Sequence, residues 1–211
     1  MEPLIFPIIA LVSAWILGAL FTKAFIPFME KKQFRQFVRE EGPKSHLKKT
    51  GTPSMGGLAI ISAVIISSLA VSAAAGKMNT EIIGVLLAMV LFGVIGFVDD
   101  YEKAIKKNNL GLSPKQKVLM QLVFSAAFAV FAMYFSGGNM MKGTEIWIPV
   151  FDVTFDIGIF YIPFVMFVMI AFSNSVNLTD GLDGLASGIT AMVAFFVLIA
   201  GWTFGFTSLP I

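Results

Sequence analysis

Apolar residues in this chain gather into long uninterrupted runs. Six such stretches cover residues 3–21, 56–75, 82–98, 118–135, 157–172 and 185–206, and none has a charged side chain in its interior. About 20 apolar residues in a helix cross a hydrocarbon core of roughly 30 Å, so each stretch predicts a transmembrane helix. The first is too long and too weakly cleavable for a signal peptide. The expected fold is an all-α polytopic membrane protein with six transmembrane helices, forming a single transmembrane domain over residues 1–211. Two segments depart from this pattern. Residues 146–157 are rich in β-branched and aromatic side chains and are broken by Pro149 and Asp152, which predicts a short β-hairpin between the fourth and fifth spans. After the first span, Phe25, Phe28, Phe34, Phe37 and Val38 alternate with charges, as suits a helix running out along the membrane interface.

Composition agrees with the pattern. Hydrophobic residues make up 57% and charged residues 13%, with a mean hydropathy of +0.85, whereas a soluble domain carries about 25% charged residues. Cysteine is absent, which excludes disulfide and thiolate chemistry. A net charge of +2 is too small to suggest nucleic acid as a partner; the lipid bilayer is the expected one.

Where the charges lie matters more than their sum. Lys23, Lys31, Lys32, Arg35, Arg39, Lys44, Lys48 and Lys49 follow the first span, and Lys103, Lys106, Lys107, Lys115 and Lys117 follow the third; only Lys77 and Lys142 lie elsewhere. By the positive-inside rule the first and third connections are cytoplasmic. The N-terminus is then outside, the hairpin is external, and the fifth connection at residues 173–184 is inside.

These three inner loops hold the candidate chemistry. The first ends in Lys48-Lys-Thr-Gly-Thr-Pro-Ser-Met-Gly-Gly57, where lysines, hydroxyls and free backbone N–H groups can meet an anion, and Gly56 and Gly57 open a helix. A basic membrane-flanking loop explains the same residues about as well. His46 is nearby, but a single histidine makes no metal site.

The second loop opens with Asp99-Asp-Tyr-Glu-Lys103. On a helix that continues past the membrane, Lys103 shares a face with both aspartates. Adjacent carboxylates suit magnesium, which takes one or two of them together with substrate phosphates. The alternative is a surface ion pair worth about 0–1 kcal/mol, but two aspartates at a membrane boundary followed by five lysines favour the phosphate reading.

The third loop, Asn174-Ser-Val-Asn-Leu-Thr-Asp-Gly-Leu-Asp-Gly-Leu-Ala186, repeats polar groups at Asn174, Asn177, Asp180 and Asp183. If helical, it gathers them along one face. Gly181, Gly184 and Gly188 leave room for close packing or a ligand. A helix cap and tight turn account for one Asp and one Gly, but not for this many polar groups at the end of a membrane span.

Taken in order, Thr52-Pro-Ser-Met-Gly-Gly57, Gly96-Phe-Val-Asp-Asp100, Asn109-Leu-Gly-Leu-Ser-Pro-Lys-Gln-Lys117 and Asn177-Leu-Thr-Asp-Gly-Leu-Asp-Gly-Leu-Ala186 resemble the phospho-N-acetylmuramoyl-pentapeptide transferases. These belong among the polyprenyl-phosphate sugar-1-phosphate transferases of the bacterial cytoplasmic membrane. The resemblance implies a magnesium-dependent enzyme that moves phospho-MurNAc-pentapeptide from its UDP carrier to undecaprenyl phosphate, giving UMP and the first lipid-linked peptidoglycan precursor. By the same resemblance Asp99, Asp100 and Asp180 are catalytic positions. Asp99 is suited to deprotonation, and Asp100 and Asp180 to magnesium or orientation; Asp99 and Asp100 together are the expected metal ligands. Lys49, Ser54, Leu182 and Asp183 fall where the family surrounds the nucleotide. Asn177 lies beside them, and Lys103 is expected to meet phosphate. A second copy of the chain is a further expected partner.

The family has about ten spans of this length, with a later loop carrying another aspartate and a later histidine-rich loop. Neither loop occurs here, so the chain is expected to be the N-terminal part of a longer enzyme, with a further metal ligand beyond Ile211. Two other readings stay open: a transferase for UDP-N-acetylglucosamine, and a membrane protein that binds lipid or a partner without catalysis.

Overall fold

The computed structural model describes residues 2–32, 34, 52–107, 110–135, 143–148, 150–182 and 184–200. It contains six helices and one two-stranded sheet. They run α1 (Glu2–Lys31), α2 (Gly57–Ala74), α3 (Thr80–Lys106), α4 (Pro114–Phe135), β1 (Glu145–Ile148), β2 (Val153–Asp156), α5 (Tyr161–Thr179) and α6 (Leu185–Ala200). Among the described residues, α1 to α5 are each long and apolar enough to cross a membrane, while α6, with 16 residues, is shorter. The last part of the expected sixth span, residues 201–206, lies outside the described residues. The protein is a helical, multi-pass membrane protein.

Two compact units divide the chain, residues 1–124 and residues 125–211, with α4 beginning in the first and ending in the second. In the first unit α1 and α2 pack along a seam of small residues. Ala59, Ala63 and Ser67 of α2 are 4%, 1% and 2% exposed and recur every fourth residue, so they share one helix face. A methyl group placed on Gly18 of α1 would stand 3.8 Å from the Ala63 Cβ, which shows how closely the backbones approach. Ser67 Oγ donates to the Ala10 carbonyl at 2.7 Å and lies 2.5 Å from Ser13 Oγ. Lipid offers no hydrophobic gain for bringing apolar helices together, so close packing and such hydrogen bonds carry the association. The α2–α3 contact is as close: a methyl on Gly93 would fall 2.5 Å from Ile61 Cδ1.

Local signals set the helix starts. Asn79 caps α3 by accepting from the Ile82 N–H at 2.9 Å, and Ser113, Pro114 and Gln116 open α4 with a capping box. There the Gln116 N–H donates to Ser113 Oγ at 3.3 Å, while Gln116 Oε1 accepts from the Ser113 N–H at 2.9 Å. This exchange satisfies donors a helix start would leave unpaired, and proline at the first helical position needs none.

Two expectations are redrawn. The segment after the first span is no separate interfacial helix as far as Lys31, because Phe25 and Phe28 belong to the continuous α1; Phe37 and Val38 lie outside the described residues. In the third loop the helix stops at Thr179, so Asn174 and Asn177 are helical while Asp180 begins a turn. Gly184, at φ +81°, sits in the left-handed region before α6. The hairpin forms as the pattern predicts, antiparallel with Glu145 opposite Asp156 and Ile148 opposite Val153.

Candidate functional site

The first unit brings three distant stretches of sequence to the end of α3. Apolar through Val98, α3 continues for two more turns and so presents Asp99, Asp100 and Lys103 beyond its membrane-spanning part. Lys103 lies four residues from one aspartate and three from the other, and its ammonium reaches both. Nζ is 2.6 Å from Asp99 Oδ2 and 3.2 Å from Asp100 Oδ1.

The two carboxylates have different surroundings. Asp99 has an 11% exposed side chain, and both its oxygens are engaged. Oδ2 faces Lys103, while Oδ1 accepts the Leu112 N–H at 3.0 Å and lies 3.4 Å from Lys117 Nζ on the first turn of α4. The loop that supplies Leu112 fits tightly against it: a methyl on Gly111 would come within 2.5 Å of Asp99 Oδ1 and 2.8 Å of the Asp99 carbonyl oxygen. One of those atoms is backbone, so rotating the aspartate would not relieve the overlap. Asp100 has a side chain 34% exposed. Its Oδ2 accepts from Ser54 Oγ at 3.2 Å, which draws the first loop onto the end of α3.

That first loop is held by its own bonds. Ser54 N donates to the Phe34 carbonyl at 3.2 Å, and the Phe34 ring stands 6.0 Å from that of Tyr101, one residue past Asp100. Met55 takes a left-handed conformation at φ 65° with its side chain buried, and Gly56 then caps α2. The turn between Ser54 and Gly57 thus lets one short segment both contact Asp100 and start a membrane helix.

In the second unit, Asn177 lies on the last turn of α5, Asp180 follows as its C-terminal cap, and Leu182 sits in the next turn; all three are exposed. A helix C-terminus carries partial negative charge. Asp180 adds to it, and this end of α5 therefore attracts cations. Lys49 and Asp183 lie outside the described residues.

Of the named residues in the first unit, Ser54, Asp99, Asp100 and Lys103 come together. Lys117, Gly111 and the Leu112 N–H join them, although sequence reasoning did not single them out for the site. Lys117 had a signal: it stands on the first turn of a helix opened by Ser113 and Pro114. The close approach of Gly111 had none, since a lone loop glycine fits many conformations.

In this multi-pass membrane protein, carboxylates, ammonium groups and a hydroxyl thus assemble at one end of an apolar helix. The chain belongs to glycosyl transferase family 4, whose family model matches residues 82–210. A phospho-N-acetylmuramoyl-pentapeptide-transferase signature also matches residues 49–61, the stretch that contains Ser54. Proteins named phospho-N-acetylmuramoyl-pentapeptide-transferase are similar over most of the chain. One from Halalkalibacterium halodurans is 43% identical over 92% of this chain and 58% of its own length. One from Bacillus anthracis is 46% identical over 89% and 56%, and one from Oceanobacillus iheyensis is 43% identical over 92% and 58%. The chain thus spans a little over half the length of these relatives.

Proposed function

We propose that this chain carries the phosphate-handling part of an enzyme that transfers phospho-MurNAc-pentapeptide from UDP-MurNAc-pentapeptide to undecaprenyl phosphate, at the cytoplasmic face of the bacterial cytoplasmic membrane. The observation that carries the reading is the convergence of Ser54, Asp99, Asp100, Lys103 and Lys117 at the end of a membrane helix. The similarity to proteins named for this transfer supplies the substrates.

In the reaction an oxygen of the lipid phosphate attacks the sugar-bearing phosphorus of the UDP-sugar. A new P–O bond forms, the P–O bond to UMP breaks, and a lipid-linked diphosphate and UMP leave. Both reactants are anions, so the barrier is lowered by cations held where charge gathers. Lys103 and Lys117 provide two. Asp99 holds both ammonium groups in place, and the two cations with the Leu112 N–H stabilise its ionised form. That weakens Asp99 as a proton acceptor and makes it a positioning residue. The more exposed Asp100, with the Ser54 hydroxyl beside it, is the group that faces substrate.

Magnesium suits this donor set, because it takes one or two carboxylates and completes its shell with water and phosphate oxygens. Among the described residues no three acidic, histidine or cysteine side chains cluster. Asp100 is the more accessible of the two adjacent carboxylates, with a side chain 34% exposed against 11% for Asp99. When bound, the ion would neutralise charge on the reacting phosphates.

The test is UMP release from membranes containing the enzyme, supplied with undecaprenyl phosphate and either UDP-MurNAc-pentapeptide or UDP-N-acetylglucosamine. Release with the pentapeptide substrate alone is expected. Release with UDP-N-acetylglucosamine instead would overturn the choice of sugar, and none with either would overturn the transfer itself.

A further inference from the structure

The hairpin between α4 and α5 has two unlike faces. Side chains alternate along a strand, and directly opposed residues share a face. The register sets Ile146 opposite Phe155 and Ile148 opposite Val153, so these four form one wholly apolar face. The other face holds Glu145 opposite Asp156 and Trp147 opposite Thr154. The connecting turn adds Val150 and Phe151, which are 84% and 72% exposed, and Phe155 is 51% exposed. Acidic groups stay with the polar side: Asp152 accepts from the Trp147 indole N–H at 3.0 Å, and Asp156 accepts from Thr144 and from the Gly158 N–H at the hairpin's base.

That base is fixed at the membrane. Asp156 is two residues from the single turn of 3-10 helix at Gly158–Phe160, which runs directly into the membrane span α5. Just past the hairpin's foot, Phe160, Phe164 and Phe167 are also exposed. Strands of four residues reach about 13 Å. A hairpin standing upright would therefore hold Val150 and Phe151 in water at its far end, whereas one lying down sets its apolar face and tip at the depth where aromatic side chains favour the headgroup boundary.

We propose that this hairpin is a membrane-surface anchor. Its Ile146, Ile148, Val153 and Phe155 face and its Val150-Phe151 tip rest in the lipid interface, with Glu145, Thr154 and Asp156 toward water. The occupant of the apolar face is lipid, because the hairpin leads directly into the membrane span α5 and its acidic groups lie on the opposite side. The anchor fixes the end of α5 away from Asn177 and Asp180, and it is independent of the transfer reaction.

The chain has no cysteine, so single cysteines can report on the hairpin. Phe151→Cys, Val153→Cys and Thr154→Cys variants would each carry an environment-sensitive nitrobenzoxadiazole label, in vesicles of phosphatidylethanolamine and phosphatidylglycerol. Labels at 151 and 153 should emit at shorter wavelength and be quenched severalfold more by lipids bearing a nitroxide near the headgroup than by iodide in the water. The label at 154 should show the reverse. Quenching of all three by iodide would place the hairpin upright in water and overturn the proposal. Protection of positions 151 and 153 from both quenchers would overturn it differently, by showing that protein covers the apolar face. The three sites are exposed, so the substitutions leave packing intact.

Discussion

Asp99 and Asp100 are neighbours in the chain, but α3 turns them into different settings. Asp99 is nearly buried and bound on both oxygens by Lys103, Lys117 and the Leu112 N–H, whereas Asp100 is a third exposed and shares a hydrogen bond with Ser54. Under the proposed reaction the two should fail in different ways when neutralised. Asp100→Asn keeps the size but loses the charge, and removing a group that acts on the reacting phosphates costs at least about 3 kcal/mol of barrier, roughly a hundredfold in kcat. Asp99→Asn frees two lysines to move apart, so its expected effect is mainly a raised KM for the phosphate-bearing substrates. Gly111→Ala should resemble Asp99→Asn, since the added methyl would collide with both the Asp99 carboxylate and its backbone oxygen. Steady-state UMP release with both substrates varied, alongside thermal unfolding of each variant, separates these outcomes. A drop in kcat at unchanged KM for Asp99→Asn would mean that Asp99 itself acts on the reacting phosphates.

At the scale of elements, the membrane seam between α1 and α2 offers the clearest test of what holds the first unit together. Ala63 is 1% exposed and faces Gly18, leaving no room for a larger side chain. Ala63→Leu should destabilise the protein by about 1–3 kcal/mol through overpacking, read as a lower unfolding temperature in detergent. Ile60→Leu, at a position 59% exposed on the same helix, should change little; equal losses would show that the seam is not where the helices bind. Such elements were largely legible in the sequence, because an apolar run of the right length has few other uses. The hairpin was legible for a related reason: β-branched and aromatic residues broken by Pro149 and Asp152 suit a strand pair better than a helix. The third loop was less so. Spacing by threes placed Asn174, Asn177, Asp180 and Asp183 on one imagined helix, but Gly181 and Gly184 follow Asp180, and glycine weakens a helix while favouring the left-handed turn that Gly184 adopts. Spacing also gave the contact of Lys103 with both aspartates, which is local. It could not give Ser54 against Asp100, 46 residues apart, or Gly111 against Asp99, because those depend on how loops cross a helix end.

For the molecule as a whole, the proposed reaction depends on which side of the membrane Asp99, Asp100, Lys103 and Lys117 occupy. Within the first unit Ser54 and Asp100 meet, and Ser113 opens α4 beside the loop that binds Asp99, so Ser54 and Ser113 belong to one side. Thr144, which pairs with Asp156 at the hairpin's base, follows the fourth span, and the alternation of spans leads to the expectation that it lies on the other side. Lysine and arginine decide which side is which. Thirteen basic residues follow the first and third spans, eight and five respectively, against Lys77 and Lys142 elsewhere, and such an excess marks cytoplasmic loops. Because UDP-sugars are cytoplasmic substrates, the proposed reaction demands the same orientation. Single cysteines at Ser54, Ser113 and Thr144, exposed in intact cells to a membrane-impermeant maleimide, should react at Thr144 only, and all three should react once the cells are opened. Labelling of Ser54 or Ser113 from outside would place the aspartates and lysines away from the nucleotide-sugar pool. That outcome would defeat the transferase reading however well the site geometry suits phosphate.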